Sequence, residues 1–353
     1  MKKVALLAPL PPPYGGIAVW TQRMLNAKLP LDWEIVVVDE KVIGDRSVFG
    51  KNTKRSLLNE IKRCVGIWKR LVKVLQDDET KLVHICIPAG LGSIVREIIS
   101  AVLANVFRKK VVVHFRCTLP NMVSGSLHLF LLKFLARLSD EFIVLNRKSA
   151  EFLLKKGLKI KNEIIPNFIK DSELKKDRVC AENISTILYV GGVIPEKGCD
   201  KIIEVARQFP DIQFKLVGKV GFDVQNVPQN VLLLGEQNQQ YVHEELIKAD
   251  VFLFLSKFRG EGFSNALAEA MASGLPCIVS DWAANADMIE DGKGGLVLRE
   301  CTVEKIAAAI EVLSARKIRQ DFAFFNYKKA SSEYLEDVIV NRYFMCYEKM
   351  MET

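Results

Sequence analysis

The sequence lacks any apolar stretch approaching ~20 residues, so no helix of it is expected to span a membrane. No two of its eight cysteines form a C-x-x-C pair, and most lie in apolar segments. Free buried thiols in a reducing compartment are therefore expected, rather than a metal site or disulfides. No G-x-G-x-x-G follows the first apolar run, which argues against an ordinary dinucleotide oxidoreductase. Internal repeats and low-complexity tracts are absent. No aromatic stacking motif is interleaved with the basic residues, so nucleic acid is not an expected partner. The start, Met1-Lys-Lys-Val-Ala-Leu-Leu, has the look of a secretory leader for only a few residues. Pro9, the prolines from 11 to 13 and Gly15-Gly16 make it a strand running into a loop.

What is present is a folded α/β pattern. The 353 residues suffice for two domains with separate cores. A 49% hydrophobic and 26% charged composition is that of a globular chain rather than a disordered one. Apolar runs near 3–8, 34–38, 82–87, 111–115 and 141–145, then near 186–190, 213–217, 231–234, 250–255 and 276–279, alternate with helical periodicity. Strands interleaved with helices predict parallel, doubly wound sheets, one in each half. Residues 1–168 form the first predicted domain and 184–330 the second. The polar stretch 167–183 is the expected hinge.

The most informative segment is Arg259-Gly-Glu-Gly-Phe-Ser-Asn-Ala-Leu-Ala-Glu269-Ala-Met-Ala-Ser-Gly-Leu-Pro276. It lies between the apolar runs 250–255 and 276–279, so it reads as a turn and helix at the carboxyl end of a parallel strand. Such an edge suits a phosphate or a sugar oxygen, through the free N–H groups of the helix start. Glu261 is expected at the mouth and Glu269 about two turns down the helix, roughly 12 Å of rise from it. That separation is unsuited to a glycosidase acid and nucleophile pair flanking one bond. The spacing alone fits equally well a helix whose first turns carry acids for their favourable interaction with the dipole.

This wording resembles the E-x(7)-E signature of the retaining family 4 glycosyltransferases. Tyr189-Val-Gly-Gly-Val-Ile-Pro-Glu-Lys-Gly198 resembles that family's phosphate loop, Pro11-Pro-Pro-Tyr-Gly-Gly-Ile17 its amino-terminal glycine loop, and Asn285 to Val297 its closing segment. The resemblance implies a GT-B fold, two Rossmann-like domains facing each other across a cleft. It also implies that residues 331–353 form a helix crossing back onto the first domain. The implied activity is retaining, metal-independent transfer from a UDP- or GDP-sugar to a glycan or polyprenyl-diphosphate-linked acceptor, in capsule, O-antigen or exopolysaccharide assembly, with no bound cofactor. A non-catalytic nucleotide-sugar-binding subunit and a sugar-nucleotide epimerase of the same fold are the alternatives. No pyridoxal phosphate lysine motif supports a phosphorylase.

By the same resemblance Glu261 binds hydroxyls of the donor sugar, and Glu269 accepts from the ribose 2′ and 3′ hydroxyls, a task suited to a carboxylate. Lys197 is the cation for the diphosphate, although a lone loop lysine is otherwise just a solvated charge. Gly191 and Gly192 let the backbone approach the donor, as do Gly15 and Gly16 at the first loop. Arg259, Gly262, Phe263, Ser264 and Asn265 complete the donor set. His114, ending Val111-Val-Val-His, matches a position where a histidine faces the donor sugar across the cleft, with Arg116 beside it. Taken alone, a histidine at a strand end reads as structural, and His84 reads as a core residue. One departure stands out: the family commonly has an arginine where this chain has Gly192, leaving Lys257, Arg259 or backbone N–H groups to supply the missing donor.

Charge is unevenly divided. Residues 1–170 hold 29 Lys/Arg against 14 Asp/Glu, a net of +15, while residues 171–353 hold 21 against 28, a net of −7. Within 51–73, Lys51, Lys54, Arg55, Lys62, Arg63, Lys69, Arg70 and Lys73 face a single Glu60, and Leu57, Ile61, Cys64, Trp68, Leu71 and Leu75 recur at helical spacing. Two readings stand: a solvated face of a helix covering the sheet, or a surface docking to an anionic bilayer or a diphosphate-lipid acceptor. The protein is expected in the cytoplasm, and the second reading places it peripherally on the inner face of the cell membrane.

Overall fold

A computed structural model describes residues 1–12, 15–40 and 57–352. The chain forms two compact units, Met1–Pro166 with Ile339–Thr353, and Asn167–Val338. The first contains β1 (Lys2–Ala8), α1 (Gly16–Leu25), β2 (Trp33–Asp39), α2 (Leu57–Leu75), β3 (Thr80–Ile87), α3 (Leu91–Val106), β4 (Lys110–Phe115), α4 (Leu119–Met122), α5 (Gly125–Arg137), β5 (Glu141–Val144), α6 (Arg147–Lys155) and β6 (Lys161–Ile164). The second contains β7 (Thr186–Val190), α7 (Cys199–Ala206), β8 (Gln213–Val217), β9 (Val231–Gly235), α8 (Gln239–Lys248), β10 (Val251–Phe254), α9 (Asn265–Ala272), β11 (Cys277–Ser280), α10 (Asn285–Met288), β12 (Gly295–Leu298), α11 (Val303–Val312) and α12 (Arg316–Glu333). The last helix, α13 (Glu336–Met351), joins the first unit from Ile339 onward.

Each unit is built on one six-stranded sheet, in the orders β2-β1-β3-β4-β5-β6 and β12-β11-β10-β7-β8-β9. Every strand pair is parallel. The order reverses between β1 and β3 in one sheet and between β7 and β10 in the other. These are the points where open parallel sheets leave a crevice at their carboxyl edge. Because helices cover both faces, the central strands are apolar throughout instead of alternating. In β3 and β4 the odd residues Val83, Ile85, Ile87, Val111, Val113 and Phe115 pack in one core with Ile67 and Leu71 of α2, Ile94 of α3 and Leu132 of α5. His84 and His114 point the opposite way, toward Trp20 of α1 and Tyr343 of α13.

Three details depart from the sequence-based expectation. The polar stretch 167–183 is bonded into the second unit and is not a free hinge. Lys175 N–H donates to Ala272 O at 2.9 Å, and the Arg178 guanidinium donates to the carbonyls of Leu246, Ile247, Ala249 and Ser273. Two edge strands, β6 and β12, were not expected. On α2, Leu57 and Ile61 are exposed, whereas Ile67, Leu71 and Leu75 are buried with Arg63. Lys51, Lys54 and Arg55 lie outside the described residues. No described helix is long and apolar enough to cross a membrane.

Candidate functional site

Of the residues singled out for donor binding, Gly191, Gly192, Lys197, Arg259, Gly262, Phe263, Ser264, Asn265 and Glu269 belong to the second unit, about its β7/β10 switch point, whereas Gly15 and Gly16 belong to the first. Strand β7 is followed by Gly191 and Gly192, and the chain then turns through 195–197 to Gly198. Backbone geometry fixes this path. Gly198 has φ +75°, and a Cβ there would meet Leu255 Cβ at 2.6 Å, so the turn is pressed against the end of β10. Gly218, after β8, has φ +144°, and a Cβ would lie 1.8 Å from Gly191 O. No side chain fits at either position. Lys257 N–H donates to Glu196 O at 2.8 Å, tying the loop to the next strand end. At Gly192 the carbonyl accepts from Tyr189 Oη at 2.8 Å, so this position is held by a buried tyrosine.

The loop brings Lys197 to the acidic turn. Lys197 Nζ lies 3.5 Å from Glu261 Oε2, both side chains being mostly buried. The same carboxylate oxygen accepts from Ser256 Oγ at 3.1 Å. Lys197 also stands over the Phe258 ring, 5.7 Å from its centroid. A cation and a carboxylate thus face each other where ligand-binding crevices form. A diphosphate is the better partner for that lysine, because it carries more charge, and its arrival would release Glu261 to accept from a sugar hydroxyl.

After Glu261 the chain enters α9 through Ser264, whose hydroxyl accepts from Leu267 N–H at 3.2 Å as the N-cap. Because α9 starts at Asn265, Glu269 lies about one turn into it, not two, and the helical estimate of their separation does not apply. Asn167 braces the turn, its amide donating to Phe263 O at 3.2 Å and to Asn265 Oδ1 at 2.7 Å. The Phe263 ring is buried edge-on to Tyr334, which makes it an anchor beneath the turn. Gly262 O accepts from Ala284 N–H at 3.2 Å. Glu269 is half-buried and Arg259 exposed. Asn167 and Ser256 had escaped notice in the sequence, since a polar residue in a polar stretch and a serine ending an apolar run carry no periodic signal.

In the first unit, Gly15 is the N-cap of α1, and a Cβ at Gly15 or Gly16 would meet nothing within 4 Å. Packing does not demand glycine there; residues 13 and 14 of this loop lie outside the described set. His114 is fully buried, in contrast to the cleft-facing position expected of it. Arg116 Nη1 lies 3.0 Å from its Nε2, and its Nδ1 lies 3.1 Å from His84 Nε2, whose Nδ1 is in turn 2.6 Å from Tyr347 Oη. Arginine can only donate, so the chain of tautomers is fixed: His114 carries its proton on Nδ1 and donates to His84, which donates to Tyr347. Burial and the nearby Arg116 cation push His84 down to about 3 and hold His114 well below the usual imidazole range. Cys86 lies close enough for a metal to be considered with the two rings. All four ring nitrogens are already in hydrogen bonds, however, and a guanidinium beside them opposes a cation.

Residues 170–329 match the model of glycosyl transferases group 1. An uncharacterized glycosyltransferase of Methanocaldococcus jannaschii is 25% identical over 226 residues, 53% of this chain and 58% of its own length, so the aligned stretch covers little more than half of that relative. The N,N'-diacetylbacillosaminyl-diphospho-undecaprenol alpha-1,3-N-acetylgalactosaminyltransferase of Campylobacter jejuni is 25% identical over 260 residues, 67% of each chain. Among solved structures, Anabaena HepE in complex with UDP-glucose superposes with a TM-score of 0.74 at 14% identity, covering 99% of this chain and 100% of that one, and so shares its fold. The lysine–glutamate pair at the switch point of the second sheet thus lies within the stretch, residues 170–329, that is similar to glycosyl transferases group 1.

Proposed function

We propose that the protein is a retaining transferase that moves a sugar from a nucleoside-diphosphate sugar to a glycan or lipid-linked acceptor during surface polysaccharide assembly. The observation that carries this reading is the Lys197–Glu261 pair at the β7/β10 crevice, beside the amino terminus of α9. Lys197 and the backbone N–H groups of 262–265 take the diphosphate, Glu261 the sugar, and Glu269 the ribose. In a front-face reaction the departing phosphate oxygen receives the acceptor proton on the same side of the sugar, so neither a protein nucleophile nor a metal is needed. The UDP-glucose bound by HepE and the diphospho-undecaprenol acceptor of the Campylobacter relative lend support to this choice of substrate classes. A non-catalytic donor-binding subunit is the second reading, favoured by glycine at 192. Release of UDP or GDP from a panel of nucleotide sugars in the presence of a polyprenyl-diphosphate glycan separates the two: turnover establishes the transferase, whereas donor binding without turnover selects the subunit.

The two glutamates have different assigned tasks, and their variants should separate. Glu269→Ala should weaken UDP or GDP binding by about tenfold, the scale of about 1 to 1.5 kcal/mol for lost hydrogen bonds. Glu261→Ala should leave nucleotide affinity nearly intact and depress turnover. Calorimetric titration of both with free nucleoside diphosphate is the check, and equal losses of affinity contradict the assignment.

The protein is further proposed to work as a peripheral protein on the cytoplasmic face of an anionic membrane. The support comes from α2, α3 and α5, where α3 packs against both neighbours on one side of the first sheet. Ile61 and Val65 on α2, Val95, Ile99, Val102 and Val106 on α3, and Leu127, Phe130 and Phe134 on α5 are exposed. Lys62, Lys69, Arg70, Lys73, Lys133 and Arg137 are exposed among them, and no acidic residue of these helices is. Apolar residues interspersed with bases suit a headgroup boundary, each base contributing about 1 kcal/mol. Arg63, first counted with this set, is buried and does not belong to it. Replacing Lys62, Lys69, Arg70 and Lys73 with glutamine should reduce sedimentation with anionic liposomes at least tenfold while UDP or GDP binding persists. Unchanged sedimentation returns α2 to a solvated helix face.

A further inference from the structure

Residues 280–285, leading from β11 into α10, bond the segment that carries Glu261 at three points. Ser280 Oγ donates to Ser256 O at 2.6 Å, Trp282 Nε1 to Phe258 O at 2.8 Å, and Ala284 N–H to Gly262 O at 3.2 Å. The turn itself closes through Glu261 N–H, which donates to Phe258 O at 3.1 Å. Trp282 therefore bonds the same carbonyl that closes the turn. Its ring is half-buried beside this edge of the second sheet.

The bracing segment is itself fixed. Asn285 is fully buried, and its amide donates to Ser280 O and to Ser280 Oγ, both at 3.2 Å. Between the donors Trp282 and Ala284, Ala283 has φ +51° and is 2% exposed. A left-handed alanine is unfavourable and persists only where its surroundings over-determine it, as happens at functional sites. Here the bonds on either side of Ala283 do so, and its conformation aims both neighbours at the Glu261 turn. These contacts also divide the site. Residues 262–265, assigned to the diphosphate, are held by Ala284 and by the Asn167 amide. Lys197 comes from a separate turn, tied through Glu196 O to Lys257 N–H. Trp282 bears instead on Phe258–Glu261, the part assigned to the sugar.

We infer that Trp282 is a positioning residue, which holds the Glu261 carboxylate in place for the donor sugar by clamping Phe258 O. Giving Glu261 the sugar rests on the transferase reading; the clamp on its turn does not. Trp282→Phe keeps an aromatic ring and removes the N–H. The full-length variant and the wild type are compared by hydrogen exchange, by titration with UDP and GDP, and by turnover of UDP-glucose, UDP-galactose, UDP-N-acetylglucosamine and GDP-mannose with a polyprenyl-diphosphate glycan. The Glu261 amide should exchange about tenfold faster, and kcat should fall about fivefold, the scale of one lost hydrogen bond. Affinity for UDP and GDP should stay within about twofold, because Lys197 and residues 262–265 keep their own supports. A merely structural loss would lower nucleotide affinity and turnover together, so the split marks positioning. Thermal melting establishes that the variant is folded, and if it is not, Trp282→Met takes its place. The inference is overturned if exchange at Glu261 matches the wild type, if turnover is unchanged, or if nucleotide affinity falls as far as turnover. Should the wild type turn over none of these donors, the transferase reading fails, and Trp282 is decided by exchange and by the ratio of nucleotide-sugar to free-nucleotide affinity. Faster exchange with a ratio lowered about threefold or more upholds the clamp, whereas an unchanged ratio, or no nucleotide-sugar binding at all, overturns it.

Discussion

Lys197→Ala should abolish most of the affinity for a nucleoside diphosphate, and turnover with it. A hydrogen bond to a charged group contributes about 1.5 to 3 kcal/mol, which is roughly 10- to 150-fold in the dissociation constant. The loss is expected near the upper end here for two reasons. Lys197 is the single Lys or Arg of the stretch 191–198, so no second cation extends from the same loop. Lys197 also lies 3.5 Å from Glu261, and its removal leaves that carboxylate facing the incoming phosphates with, among the described residues, Ser256 as its side-chain donor. Repulsion is thereby added to a missing attraction. Titration with UDP and GDP at low and physiological salt is the measurement. Affinity within threefold of the wild type at both would transfer the phosphate role to another base, and Arg259→Ala would then be the variant to examine. Lys197→Arg should restore only part of the binding, since its planar fork differs in shape from an ammonium on the same short loop.

Much of the fold was legible because parallel strands buried on both faces print continuous apolar runs, as β3, β4, β7 and β10 do. The two strands that escaped are edges. Lys161–Ile164 is polar and largely accessible, and Gly295–Leu298 follows a tight glycine turn within a stretch that reads as a loop. The site was legible as a set of motifs, since Gly198 and Glu261 stand in a wording that backbone geometry constrains. Its supports were not. Asn167 acts through hydrogen bonds across sequence distances of 96 and 98 residues and Ser256 through one across 5, and such bonds leave no pattern. The basic helix was legible as amphipathic, yet the sequence stripe could not say that its first turns leave Leu57 and Ile61 exposed, nor that Arg63 is bonded to Glu40 O and Glu60. His114 shows the limit most clearly. A strand-end histidine has the same local sequence whether or not a helix more than two hundred residues later covers it.

That cover sets the consequence of removing the imidazole. His114 is fully buried, edge-on to Trp20 at 5.4 Å and 5.6 Å from the Tyr343 ring. His114→Ala should therefore destabilise the first unit by about 2 to 4 kcal/mol, from the cavity left behind and from the partners left unpaired on Arg116 and His84. The pH dependence supplies a second signature. Both imidazoles are depressed in the folded state, so the unfolded chain binds more protons at acid pH. Their contribution is complete above the unfolded value of about 6.5 and is lost as pH falls through the window toward 3. The wild type should lose stability steadily below pH 6.5, and His114→Ala should show a shallower slope because one of the two titrating rings is gone. Chemical denaturation of both proteins at pH 7.5, 6 and 5 measures the offset and the slope together. A variant as stable as the wild type at every pH, with transfer lost, would show that this ring serves the reaction and not the core.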